Sequence, residues 1–332
     1  MSINRRQALT LIAGACGAAV SGTFSLVHAT ESYPARPVNL IVGFAAGGQS
    51  DILGRKVATE LSKALGQTVV VQNKEGATAT IAGRYVAASK PDGYNLLLGG
   101  SSGMVMAPLV IDVPFDPVKD FSSIAMLTTA AVSISVHPSV PAHNLNELVE
   151  LIKKNPGKYS YAHSGFGGVD HMTGELFKQV AGDLNLMPIP YKGASPALHD
   201  VIGGQVPILI STFSSVYPYH KSGQVRMLAM TGANRHESAP EMPTAVEQGY
   251  ADLVSAAFNY LTTRANTPAD VMAALRAAAT EVMSRPEFIA ELKAAQFDPV
   301  QGSTPESTDA FLAEQVQKWS KVAKQANIKA QR

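Results

Sequence analysis

The stretch Ile41 to Asp51, I-V-G-F-A-A-G-G-Q-S-D, constrains this chain more than any other. Val38 to Phe44 is a short apolar run of the kind that forms a buried strand. It stops at Ala45-Ala46-Gly47-Gly48, where only small side chains remain and glycine can adopt positive φ. Ser50 and Asp51 are helix N-cap types, and Ile52, Leu53, Val57, Leu61 and Leu65 then recur at helical spacing. Strand, glycine turn and helix start predict a pocket of unpaired N–H groups at the positive end of a helix dipole. Such a pocket can seat an anion, and the same residues also satisfy a plain strand-to-helix turn with no ligand.

The residue types narrow the anion. Gly43 to Ser50 follows the phosphate-loop pattern G-x-x-x-x-G-K-[ST] except at Gln49, which stands where lysine is required. A neutral amide cannot neutralise nucleotide phosphates, so a weaker anion such as a carboxylate fits better. No G-x-G-x-x-G follows a strand, because Gly165-Phe166-Gly167 continues as Gly168-Val169-Asp170. A dinucleotide fold of that kind is unsupported.

Further along, Thr68–Gln72 and Tyr94–Leu98 read as strands, with a helix over Thr80–Ser89 between them. Asn73–Thr78 and Lys90-Pro91-Asp92-Gly93 read as turns. Gly99–Gly103 forms a second glycine loop, and Phe121–Val136 is a long apolar stretch of strand character. After Pro138 and Pro141 the pattern restarts. Helix Leu145–Lys154, strand Tyr159–Ala162, glycine loop His163–Gly168 and helix Val169–Ala181 come first. Strand Met187–Tyr191, helix Ser195–Ile202, strand Val206–Ile210, helix Ser214–Lys221 and strand Val225–Thr231 follow. The remainder, Thr267–Ser284, Pro286–Ala295 and Thr304–Gln325, is nearly all helix, with Trp319 in the core. Alternation of strand and helix predicts an α/β fold with parallel sheets, whose ligands sit beyond the carboxyl ends of the strands.

At 332 residues the chain has room for two domains. Its 46% hydrophobic and 16% charged residues describe a soluble globular protein. Residues 1–29 read as a signal peptide: Arg5-Arg6, an apolar run from Ala8 to Val20, and Val27-His28-Ala29 before the cleavage point. The twin arginines permit the twin-arginine route as well as the general one. Removing that segment leaves 25 basic against 26 acidic residues, a balance that recruits neither nucleic acid nor a membrane surface. The only cysteine, Cys16, leaves with it, and with it any disulfide, thiol nucleophile or sulfur-bound metal. The expected location is the periplasm.

Catalysis has one foothold. Gly99-Gly100-Ser101-Ser102-Gly103 satisfies G-x-S-x-G after a strand, which would make Ser101 the nucleophile of an exported serine hydrolase. His163, His171, His199 and His220 could supply its base. Pro108 follows too soon for the long helix such an elbow feeds. Turnover of chromogenic esters that Ser101→Ala abolishes would mark that alternative. No metal-ligand spacing is present, and neither a metal nor a cofactor is expected.

Taken in order, several segments resemble the Bug family of extracytoplasmic solute receptors, the binding components of tripartite tricarboxylate transporters. They are Pro37–Asp51, Pro91-Asp-Gly-Tyr94, Pro114–Phe121, Tyr161-Ala-His-Ser-Gly165, His171, Gly174-Glu-Leu-Phe177 and Pro190-Tyr-Lys-Gly193. The resemblance runs from about Tyr33 to Ile328. It implies a periplasmic-binding-protein-like fold, with two α/β domains closing at a hinge on a small organic carboxylate. Domain 1 would be 30–132 plus 256–332 and domain 2 would be 133–255, with the C-terminal helices on domain 1. It further implies a non-catalytic, monomeric receptor that delivers its ligand to membrane permease subunits.

Carried over by position, the family's carboxylate seat falls on Phe44, Ala46, Gly47, Gly48, Ser50 and Asp51. His163, Ser164, Gly165, Phe166, Gly167 and Gly168 face them, and Ser101 and Ser102 line the third loop. The chain departs from the family pattern at His163, Phe166 and Gly168, and Ser211-Thr212-Phe213 stands for a frequent Asp-Asn-Leu. Without that aspartate an amino-acid ligand is disfavoured. Phe166, Phe213 and Tyr217 would instead offer ring surface to an aromatic or apolar carboxylate.

Overall fold

The computed structural model describes residues 33–328, so the signal peptide read over 1–29 lies outside the described residues. The chain opens with strand β1 (Val38–Val42), helix α1 (Gln49–Leu65), β2 (Val69–Asn73), α2 (Thr80–Ala87) and β3 (Asn95–Gly100). β1 lies between β2 and β3 and pairs in parallel with both. Its Val38, Leu40 and Val42 pack under α1 while Ile41 enters the core on the opposite face. A strand buried on both faces is what a continuous aliphatic run produces in a parallel sheet.

β4 (Phe121–Val136) ends this half and begins the next. Then come α3 (Leu145–Lys154), β5 (Ser160–His163), α4 (Val169–Val180), β6 (Met187–Pro190) and α5 (Ala194–Ile202). β7 (Ile208–Thr212), α6 (Phe213–Lys221), β8 (Arg226–Met230) and β9 (Ala256–Arg264) complete the second round. The tail holds α7 (Ala269–Ser284), α8 (Pro286–Ala294), the two-residue β10 (Asp298–Pro299) and α9 (Pro305–Gln325).

The strands form one continuous order, β2-β1-β3-β9-β4-β7-β5-β6, with β8 and β10 also on β4. It divides into two copies of one arrangement. β2-β1-β3 is parallel and is followed by antiparallel β9; β6-β5-β7 is parallel and is followed by antiparallel β4. β4 serves both halves: residues 121–131 pair with β9, and residues 132–136 pair with β7 and β8. The apolar pattern of the sequence assigns no strand at β9, although it is an inner strand of the sheet.

α7 and α8 cover the first half-sheet, where Leu275, Val282, Phe288 and Leu292 pack with Leu53 and Leu61 of α1. α9 lies along β4 and also packs on α4. Its Val322 carbonyl accepts a hydrogen bond from Gln179 Nε2 at 2.9 Å, so the C-terminal helix is fastened to both halves. Trp319 is fully buried, as its helical spacing with Leu312 and Val316 suggested.

Candidate functional site

The two half-sheets present the same loop at the same place. After β1, Gly47 has φ +80° and Gly48, the residue before α1, has φ −77° and ψ 168°. After β5, Gly167 has φ +71° and Gly168, before α4, has φ −78° and ψ 172°. Gly48 N donates to the Ala45 carbonyl at 3.3 Å, and Gly168 N to the Gly165 carbonyl at 3.2 Å. Both loops therefore need glycine at the residue with positive φ. Gly48 and Gly168, in extended backbone, do not need it for that reason. The first helix begins two or three residues earlier than the cap types Ser50 and Asp51 suggested.

A side chain four residues on closes each turn. Asp51 Oδ2 accepts from Gly47 N at 2.8 Å; His171 Nδ1 accepts from Gly167 N at 3.1 Å. Asp51 also accepts from Arg55 Nε and Asn73 Nδ2, each at 2.9 Å. The Arg55 hydrogen bond is the main reason its carboxyl is held down at about 2, against the pull of its own burial. Asp51 is thus engaged in building the loop.

His171 is buried, stacked on His163 at 4.6 Å and tilted against Phe166 at 5.1 Å. Burial, with Lys178 nearby, depresses it to about 4. Burial and the adjacent His171 depress His163 to about 3. Both rings are neutral at pH 7, and the Gly167 hydrogen bond requires an unprotonated Nδ1 on His171.

The sequence carries a signal for this duplication that strand and helix periodicity does not reveal. Gly47-Gly48 with Gly54, and Gly167-Gly168 with Gly174, follow the same G-G-x-x-x-x-x-G spacing. The last glycine lets each helix press onto its own strand. An added Cβ would lie 2.8 Å from Val42 in the first half and 2.4 Å from the Tyr161 ring in the second.

The segment between β2 and α2 lies between the two loops, and polar composition alone makes most of it a turn. Ala77, Thr78 and Ala79 have φ of +45°, +54° and +71°, three consecutive residues in the left-handed region. Conformations that L residues avoid persist only where surrounding structure imposes them, and they gather at binding sites. Ala79 lies close against Gly43 and Gly103, where a Cβ would come within 2.4 and 2.8 Å of its methyl. Thr78 Oγ1 donates to the Phe166 carbonyl at 2.9 Å. Ser102 Oγ accepts from Val169 N, in the first turn of α4, at 3.1 Å. Gln49 Nε2 donates to Ser214 Oγ at 3.5 Å, linking the start of α1 to that of α6.

The remaining predicted site residues divide into three groups. Phe44 and Ala46 are exposed on the first loop. Ser50 lines a small cavity with Gly43, Phe44, Ala79, Gly103 and Asn259, of about 10 Å³, enough for one water. Ser164, Gly165 and Phe166 are half-buried on the second loop. Phe213 is 2% exposed and packs on His236 at 4.4 Å and Tyr217 at 4.7 Å, so its ring belongs to the core. Gly99 and Gly100 end β3, and Ser101–Met106 is a π-helical turn. Ser101 is buried, and its Oγ accepts from Phe258 N at 3.4 Å. His163 and His171 bond the second loop and not Ser101.

At the first turns the amides of Gln49, Ser50 and Asp51, and those of Asp170 and His171, find no protein acceptor among the described residues. These are the donors that an anion at a helix start takes up. Matched half-sheets joined by the shared strand β4, with paired glycine loops at their carboxyl ends, define a solute-binding protein of the periplasmic type. The chain belongs to the tripartite tricarboxylate transporter family receptor, which residues 53–328 match. It is 36% identical over 300 residues to a UPF0065 protein of Bordetella bronchiseptica, covering 90% of this chain and 88% of that protein. The periplasmic binding protein BugD has a similar structure, with TM-score 0.79 and 33% identity over 90% of this chain and all (100%) of BugD. So has R. palustris Rpa4515 with adipate, with TM-score 0.82 and 29% identity over 90% of this chain and 100% of that one. Among the described residues no helix is long and apolar enough to cross a membrane.

Proposed function

We propose that this protein is a periplasmic receptor that holds a small organic carboxylate between the Gly47–Asp51 and Gly167–His171 loops and delivers it to the permease of a tripartite transporter. The observation that carries the reading is the pair of matching glycine loops, each opening a helix with first-turn amides that lack protein acceptors, Gln49 to Asp51 in one and Asp170 and His171 in the other. A carboxylate supplies the missing acceptors and is favoured by both helix dipoles. The adipate in R. palustris Rpa4515 supports a ligand of this class. Domains 30–132 plus 256–332 and 133–255 would swing about β4 and the chain entering β9, and Thr78–Phe166 and Ser102–Val169 would be bonds of the closed form.

Calorimetry against mono-, di- and tricarboxylates tests this, with Gly47→Val as the comparison. Saturable binding of at least one carboxylate by the native protein, lost in a folded Gly47→Val, is the expected result. Silence across the panel, or affinity unchanged by the substitution, would overturn it. Pull-down of the permease subunits with ligand-loaded receptor tests delivery.

A further inference from the structure

Charged side chains join the two halves beside the place where β4 passes from one to the other. β4 leaves its pairing with β9 at Ala131 and takes up β7 at Val132. Asp298 of β10 stands opposite Thr129, just before that point, and Thr212 of β7 stands opposite Val132, just after it. His236, in the loop after β8, reaches both sides. Its ring packs on Phe213, the residue after Thr212, at 4.4 Å, and its Nε2 lies 2.8 Å from Asp298 Oδ1. Beside it, Lys293 Nζ of α8 donates to Glu237 Oε2 at 3.0 Å.

The hydrogen bonds assign the roles. His236 Nδ1 accepts from Ser238 N at 3.1 Å, so in the neutral ring Nε2 carries the proton and donates to the Asp298 carboxylate. Moving that proton to Nδ1 would lose both bonds. The His236 side chain is 11% exposed and that of Asp298 39%, whereas Glu237 and Lys293 are 86% and 54% exposed. The first pair is therefore the better shielded and the stronger of the two.

We propose that His236 and Asp298, with Glu237 and Lys293 beside them, form a latch that holds the two halves in the closed arrangement. A bend of β4 between Ala131 and Val132 carries Asp298 with the first half and Phe213 with the second, and so draws Asp298 away from His236. The latch lies outside the glycine loops. It acts on binding by setting the fraction of receptor that is closed, since apparent affinity falls with the competent fraction. This rests on the hinge between the halves read above and not on the nature of the anion.

The test reads the separation of the halves with no ligand present. With the only cysteine, Cys16, replaced by serine, Val70→Cys and Met187→Cys put spin labels on exposed residues of β2 and β6, the two ends of the strand order. Pulsed dipolar spectroscopy then gives the distribution of distances between them. In Asp298→Ala a second distance should gain population, with the ratio of open to closed rising about three- to tenfold for the loss of one partly solvated, charge-assisted hydrogen bond. Asp298→Asn keeps an acceptor without the charge and should fall between that variant and the native protein. Glu237→Gln should change the ratio least. An unchanged distribution in Asp298→Ala overturns the latch, even with a lower thermal midpoint, because a bond that serves stability alone leaves the separation as it was. Carboxylate binding measured by calorimetry would stand after that result. Should Asp298→Ala fail to fold, His236→Phe, which keeps a ring against Phe213 and removes both nitrogens, decides.

Discussion

Gly47–Asp51 and Gly167–His171 trace one backbone and close it with opposite chemistry. In the first loop the acceptor is a charged carboxylate, tied outward to a half-exposed Arg55. In the second it is a neutral imidazole, layered between His163 and Phe166. The turn therefore demands only a left-handed glycine and an acceptor four residues on. Everything else about the acceptor is free to vary, and with it the loop's response to pH and to packing.

The largest difference should come from adding bulk at the left-handed glycine. At Gly47 an added Cβ meets nothing within 4 Å, so Gly47→Val costs only conformational strain, about 1–2 kcal/mol. At Gly167 the Cβ would also lie 2.7 Å from Val110, and overpacking adds about 1–3 kcal/mol. Chemical denaturation of both variants measures the gap, and equal losses would break the comparison.

Acid should separate the loops next. His171 titrates at about 4 in the folded chain against 6.5 unfolded. Between those values the unfolded chain binds more protons, so the contribution is complete above pH 6.5 and drains as pH falls towards 4. That is about 3 kcal/mol, with His163 adding to the same window. Asp51, lowered from 3.8 to about 2, holds the first loop until pH falls below 3.8. Denaturation midpoints from pH 7 to pH 4 should fall in the native protein and fall less in His171→Asn, which keeps an acceptor that does not titrate there. An identical slope in both would place the effect elsewhere.

Asp51→Asn sharpens the contrast from the other side. Three donors converge on that carboxylate, and an amide presents its own N–H₂ to at least one of them. The cost should be about 1–3 kcal/mol at every pH above 4. A neutral result would mean that Gly47 alone shapes the turn.

The smallest effect belongs to the bridge between the loops. Thr78→Gly relieves a left-handed residue and forfeits the Phe166 hydrogen bond, terms of about 1 kcal/mol each with opposite sign. Thr78→Val keeps the strain and loses the bond, so it should be the less stable of the two by thermal denaturation. The reverse order would show that the bridge contributes nothing.

Much of this architecture is readable from the sequence because apolar runs and glycine loops alternate without ambiguity. β4 and α3 have the bounds that the sequence suggests. β9 escapes because Asn259 and its threonines break the apolar run of a strand that is nevertheless an inner one. The start of α1 is expected too late because Asp51 is a cap type used here for another purpose, reaching back to an amide in the loop. Thr78 cannot be found by propensity, since residues with a Cβ avoid the conformation it adopts and only its neighbours impose it.

β9 lies between β3 and β4 in the sheet although it follows them by more than a hundred residues in the chain. While the ribosome is still making residues 133–255, the first half-sheet has a gap that nothing upstream can fill. The second half needs only β4 and what comes immediately after it. The half encoded first therefore has its full set of strands only when the last third of the chain has been made, whereas the half encoded in the middle has all of its strands by Met230.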